Sequence, residues 1–202
     1  MELSVVVEGF GDVAIAHRLA RDAGFGTVRE HVCRGKPKLD ALLGKYLQAA
    51  AHRPYLILRD LDTDADCATA WLKPHLHRVT RWASLRLAVR CAEAWLLADR
   101  ARCADFLGVS EALVSPAPDE LENAKHELLS LARRSSRRVI REGLCPAPGH
   151  SLSVGPAYTG LLTEFVTTHW RPAVAERSSP SLRRARAAVF ALARRWAAAN
   201  GG

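Results

Sequence analysis

The chain has 202 residues, enough for one α/β domain with a smaller appendage and a substantial core. Hydrophobic residues make up 49% and charged residues 25%, a globular balance, and no apolar run reaches the ~20 residues that a membrane-spanning helix needs. The net charge of +8 is uneven: fifteen Lys/Arg face twelve Asp/Glu in residues 1–100, and fourteen face nine in residues 101–202. Such a split suits a polyanionic partner held by arginine, and equally an arginine-rich solvated surface. Five cysteines (Cys33, Cys67, Cys91, Cys103, Cys145) form no CxxC pair, and the start of the chain carries no basic leader. The expectation is a cytoplasmic protein with reduced thiols, no membrane association and no structural zinc.

The first hundred residues alternate strand and helix signals. Leu3–Val7 reads as a buried strand running into Glu8-Gly9, and Asp12 is placed to cap a helix from Val13 to Ala23. Thr27–Cys33 is a weaker strand. Arg34-Gly35-Lys36-Pro37 is a turn, with Pro37 in the first turn of a helix that runs to Ala51. Pro54–Arg59 is a third strand, Asp64–His77 a helix, Leu85–Val89 a fourth strand and Cys91–Leu107 a helix. Crossovers of ten or more residues fit a mostly parallel sheet flanked by helices. Beyond residue 108 the pattern becomes helical, with helices expected over Asp119–Ile140, Ala157–His169 and Leu182–Ala199 and a Pro/Gly/Ser-rich loop over Cys145–Gly155. The predicted organisation is an α/β domain over residues 1–108 and an arginine-rich helical extension over 109–202 packed on it.

The most informative feature is Tyr55-Leu56-Ile57-Leu58-Arg59-Asp60-Leu61-Asp62, an apolar strand ending in acids and followed by Asp64 and Asp66. Four carboxylates within seven residues repel one another, so a metal ion or several basic groups are expected among them. Oxygen-only ligands suit Mg²⁺ or Mn²⁺ rather than zinc. Ligands of parallel sheets bind beyond the C-terminal strand ends, where Glu8, Asp60 and Asp62 all fall. Glu8, Asp60, Asp62 and Asp64 are therefore the candidate metal ligands. Glu8 is also a candidate base, although a carboxylate at a helix N-terminus also serves the macrodipole alone. Asp64 and Asp66 are equally suited to capping the helix that follows. Lys36 is a candidate for contacting phosphate or remaining a solvated turn lysine. Glu93, acidic in an apolar helix beside Trp95, either completes the site or pairs with an arginine such as Arg90. Lys125 sits on an acidic helix as a surface residue or a site residue. Arg133, Arg134, Arg137, Arg138, Arg183 and Arg184 are candidate nucleic-acid contacts.

A strand ending in Glu-Gly, a helix, and a later strand ending in Asp-x-Asp resembles the Toprim domain of primases, topoisomerases, recombination mediators and overcoming-lysogenization-defect (OLD) nucleases. The segment Glu93-Ala94-Trp95-Leu96-Leu97-Ala98-Asp99 after a strand is similar to a family of small bacterial Toprim-like proteins. Gly35-Lys36, Lys125, Gly155-Pro156-Ala157-Tyr158 and Ser179-Pro180-Ser181-Leu182 extend that likeness over most of the chain. The resemblance implies a Toprim-like, Rossmann-like fold, Mg²⁺ or Mn²⁺ dependence, nuclease chemistry with Glu8, Asp60, Asp62, Glu93 and Lys36 as catalytic residues, and an ABC-type ATPase partner in defence against phage. The alternative is a non-catalytic module that binds nucleic acid or serves an ATPase. Haloacid-dehalogenase chemistry requires Asp-x-Asp after the first strand, and a receiver domain requires an acid pair there; neither pattern is met. A glycosyltransferase reading of Asp-x-Asp has no support elsewhere in the sequence. No P-loop motif occurs, and Tyr46, Tyr55 and Tyr158 offer no clear topoisomerase nucleophile.

Overall fold

The computed structural model describes residues 1–147, 149 and 152–201. In chain order the elements are β1 (Glu2–Val7), α1 (Gly11–Asp22), β2 (Thr27–Val32), α2 (Lys36–Ala49), β3 (Tyr55–Asp60), α3 (Ala68–Leu72), a 3₁₀ stretch (Lys73–Arg78), β4 (Ala83–Ala88), α4 (Ala92–Leu97), α5 (Arg100–Leu107), α6 (Ala124–Arg133), α7 (Arg138–Leu144), α8 (Tyr158–Glu164), α9 (Pro172–Ala175) and α10 (Pro180–Asn200). They form two compact units, residues 1–89 with 181–202, and residues 90–180. Sequence spacing instead divides the chain at residue 108.

The first unit is α/β and Rossmann-like. Its four strands are all parallel in the order β2-β1-β3-β4. β1 and β3 are the central strands, and their near-continuous apolar runs are buried as strands covered on both faces must be. β2, Thr-Val-Arg-Glu-His-Val, lies at an edge and is largely accessible. Pairing puts Val6 opposite both His31 and Ile57, and Asp60 opposite Ala88. One layer of the core joins Val6, Ile57 and Leu85 to Leu39, Leu43 and Leu47 of α2. Proline in the first turn of α2 costs nothing, because that amide has no helical acceptor. The final helix belongs with this unit: Trp196 meets Trp82 edge to face at 4.9 Å, and Arg195 donates to the Arg81 carbonyl at 3.3 Å.

Four expected helices differ. The segment 64–77 is helical only from Ala68, and its N-cap, Cys67, makes no side-chain cap. Asp64 and Asp66 therefore do not cap it. The stretch 91–107 breaks at Ala98–Asp99 into α4 and α5. The stretch 119–140 resolves into a short 3₁₀ turn, α6 and the start of α7, and α8 continues as a π turn over Phe165–His169. Of the expected loop 145–155, residues 148, 150 and 151 lie outside the described residues.

The second unit is helical and is organised by two buried polar connections. Asp99, 1% exposed, leaves the helix axis and accepts from the backbone N–H of Arg171 at 2.9 Å and from its Nε and Nη2 at 3.0 and 2.7 Å. Trp170 is fully buried and its indole N–H donates to the Trp95 carbonyl at 3.0 Å. That carbonyl lies where α4 ends, so an indole stands in for part of the missing helix. Replacing Trp170 with Phe keeps most of the apolar area and removes this indole donor from the carbonyl. Chemical denaturation should register a loss of about 1–3 kcal/mol, and an unchanged midpoint would show that water reaches the site.

Candidate functional site

The acids sit at the C-terminal edge of the sheet in the first unit. β1 passes through Val7 into Glu8, and β2 pairing continues past the strand, with the amides of Cys33 and Gly35 donating to the carbonyls of Val7 and Glu8 at 2.9 Å each. Arg34 (φ 61°) and Gly35 (φ 122°) then turn the chain into α2, which brings Lys36 to the same edge. Only glycine is comfortable at the second of these angles. On the neighbouring strand the Leu61 amide donates to the Ala88 carbonyl at 2.9 Å and Leu61 is fully buried. Asp62 follows in the left-handed region (φ 45°), and the Asp64 amide closes the turn onto the Leu61 carbonyl at 3.1 Å. Non-glycine residues held at such angles cost of order 1 kcal/mol or more and gather where the surroundings over-determine the backbone.

Glu8 and Asp60 meet directly: Glu8 Oε1 accepts the backbone N–H of Asp60 at 2.8 Å. Burial raises the Glu8 pKa, and it outweighs the Asp60 amide and the charges of Lys36 and Arg59, which lower it. Lys36 Nζ lies 2.5 Å from Asp62 Oδ2 and 3.0 Å from Asp64 Oδ2. Burial works against the ammonium, but these two carboxylates hold its pKa above the ordinary range. Lys36, with its side chain 20% exposed, is thus not a solvated turn lysine. Asp64 also accepts from Arg59 Nη2 at 2.6 Å, and although burial raises its pKa, the two cations carry it below the usual carboxylate value.

Sequence reasoning missed Arg59. Its guanidinium is nearly buried, and its Nε and Nη2 grip Asp40 of α2 in bidentate fashion at 2.7 and 2.8 Å. Nη1 donates to the Asp60 carbonyl at 2.7 Å, and the group lies 4.3 Å from the centre of the Trp71 ring. A continuous ion-pair chain results: Asp40, Arg59, Asp64, Lys36, Asp62. An arginine inside an apolar strand was the available signal, since a buried guanidinium demands carboxylate or carbonyl partners. The basic groups expected among the acids are Arg59 and Lys36. Asp12 accepts the Gly9 amide at 3.0 Å from within α1, so it ties the Glu8-Gly9 turn together, and the N-cap is Phe10.

Glu93 and Lys125 lie in the second unit. Tyr158 brings them together: its hydroxyl donates to Glu93 Oε1 at 2.6 Å, and Lys125 Nζ stands 5.2 Å from its ring centre. Arg133, Arg134, Arg137 and Arg138 are exposed in the same unit. Arg137 stands 3.8 Å from Asp105, and Arg138 pairs with Glu142 at 2.8 Å. Arg183 and Arg184 are exposed on α10.

Among the described residues no group of three or more His, Cys, Asp or Glu side chains is arranged to hold a metal ion. Mg²⁺ is commonly bound by one or two carboxylates, with waters and substrate phosphate completing its shell. At the ends of β1 and β3 the Glu8 carboxylate accepts the Asp60 backbone amide, and Asp62 and Asp64 are engaged by Lys36.

Two outcomes follow from this electrostatics. Arg59→Met leaves Asp40 and Asp64 each short of a partner, and thermal unfolding should show a loss of about 1–3 kcal/mol; unchanged stability would mean that the two acids rehydrate without cost. Glu8→Gln should act in the opposite direction. A folded-state pKa raised above the ordinary value of 4.5 means that ionised Glu8 is a burden on the fold above that folded pKa. Glu8→Gln should therefore melt higher than the native chain at pH 7–8, and the gap should close as pH falls through the folded pKa toward 4.5. A gap that widens on acidification would reverse the assignment.

No protein-family model, curated protein or solved structure matches the chain.

Proposed function

We propose that the chain is a Toprim-type, metal-dependent nuclease that hydrolyses phosphodiester bonds of DNA or RNA. The observation that carries this reading is the meeting of Glu8 and Asp60 on adjacent parallel strands, at the edge where such sheets place their ligands. Glu8 and Asp60 would hold Mg²⁺ or Mn²⁺, which when bound supplies Lewis-acid neutralisation of the phosphate. Glu8, whose burial favours proton uptake, is suited to accept a proton from the attacking water. Lys36 is positioned to exchange Asp62 for a phosphate oxygen as charge develops there. Arg59 holds the Asp60–Asp64 turn and touches no reacting atom. The family likeness extends the proposal to an ABC-type ATPase partner and a role in phage defence.

The pairing of Asp62 and Asp64 with Lys36 favours a second reading, in which the edge is a self-neutralised binding surface without catalysis. The two separate on one experiment. Plasmid, single-stranded DNA and tRNA are incubated with native protein and with Glu8→Gln, in EDTA, Mg²⁺ or Mn²⁺. Metal-dependent cleavage that Glu8→Gln slows about 10²–10⁴-fold, with oligonucleotide affinity nearly unchanged, supports the nuclease. No cleavage by native protein, with both proteins binding alike, gives the binding-module reading.

A further inference from the structure

β4 lies at the sheet edge beside β3, and it carries one cation, Arg86. A cleft of about 490 Å³ opens there in the first unit, lined by Arg86, Leu87, Leu72, Asp66 and, from α10, Arg184. Among the described residues neither Arg86 nor Arg184 has an ion-pair partner; Arg86 Nε donates only to the Ser84 hydroxyl, at 3.3 Å. Asp66 lines the same cleft and pairs with neither. Burial lowers the Arg86 pKa, and the charges of Arg184 and Arg195 lower it further. A half-buried guanidinium beside two like charges is costly for an isolated fold, and an anion seated between them removes the cost.

Position makes the anion specific. Asp60 pairs with Ala88, and Arg86 is two residues earlier on β4. Alternation along the strands places Arg86 on the same sheet face as Asp60, with their Cα atoms roughly 8 Å apart by standard strand spacing. A polynucleotide with one phosphate at the Glu8–Asp60 edge would carry a neighbouring phosphate across this cleft.

We infer that the cleft between β4, residues 66–76 and α10 is a phosphate site, in which Arg86 and Arg184 hold a backbone phosphate of the nucleic-acid strand adjoining the acidic edge. This deepens the nuclease reading and rests on it for the identity of the strand. Arginine serves here because its fork donates two parallel hydrogen bonds to phosphate oxygens.

The test measures binding in EDTA, so that it does not depend on cleavage. Fluorescence anisotropy of a labelled single-stranded oligonucleotide is followed across a salt series for native protein, Arg86→Gln, Arg184→Gln, Arg86→Lys and Lys45→Gln, the last an exposed charge on α2. Arg86→Gln and Arg184→Gln should each weaken binding about tenfold and reduce the salt slope by about one. Arg86→Lys should recover part of the loss, and Lys45→Gln should match native protein. Arg86→Gln should also melt higher than native protein, because it removes an uncompensated charge. A lower melting temperature with unchanged affinity would make Arg86 structural and overturn the site. Inorganic phosphate is titrated in parallel by calorimetry. If it binds native protein, is lost in Arg86→Gln, and oligonucleotide affinity does not change, the cleft takes a small free anion and the inference fails. Native protein that binds the oligonucleotide through Arg86 and cleaves nothing leaves the cleft standing and removes the nuclease reading.

Discussion

A guanidinium buried among apolar side chains must be surrounded by acceptors, and Arg59 meets that demand by binding Asp40, Asp64 and the Asp60 carbonyl at the acidic edge. Its hydrogen bonds reach α2 through Asp40, the end of β3 through the Asp60 carbonyl, and the turn beyond through Asp64. Trp71, from α3, covers its face. Four segments are fixed by one side chain, and the left-handed Asp62 is held between the buried Leu61 and the anchored Asp64. Without the guanidinium Asp40 would lose its bidentate partner, and Lys36 would face Asp62 and Asp64 alone.

The same network sets the terms on which any ligand enters. Lys36 already satisfies Asp62 and Asp64, so an incoming cation competes with an ammonium and an incoming phosphate competes with two carboxylates. Each is disfavoured alone. In the proposed nuclease, a phosphate drawn to Lys36 would release Asp62 and Asp64, and a cation held by Glu8 and Asp60 would offset their charge. Binding of the two would then be thermodynamically coupled.

Much of this was legible in the sequence, for identifiable reasons. β1, β3 and β4 declared themselves through apolar runs and β2 through a weaker signal, and Glu8, Asp60 and Asp62 could be placed at one edge because the crossovers imply a parallel sheet. Pro37 marked the first turn of α2. What escaped was whatever depended on partners distant in sequence. Nothing local reveals that Asp40, nineteen residues earlier, closes onto Arg59. Asp99 was read as part of an unbroken helix because its partner, Arg171, lies 72 residues on. Asp64 and Asp66 looked like caps because Asp caps helices well, but a cation claims the Asp64 side chain before any helix begins. The likeness of Glu93, Lys125 and Tyr158 to one family pattern said nothing of the hydrogen bond that joins two of them.

The first unit is assembled from two stretches of chain, 1–89 and 181–202. Its sheet is complete once β4 has been made, but α10, which supplies Trp196 against Trp82 and buries Leu182, Ala185, Val189 and Leu192, comes ninety residues later. During vectorial synthesis the first unit must wait for its last helix while the whole second unit emerges. Such a delay leaves apolar surface and an open strand edge exposed at the stage when nascent chains associate wrongly. The order of elements thus makes folding yield, rather than final stability, the property most sensitive to loss or delay of the last helix.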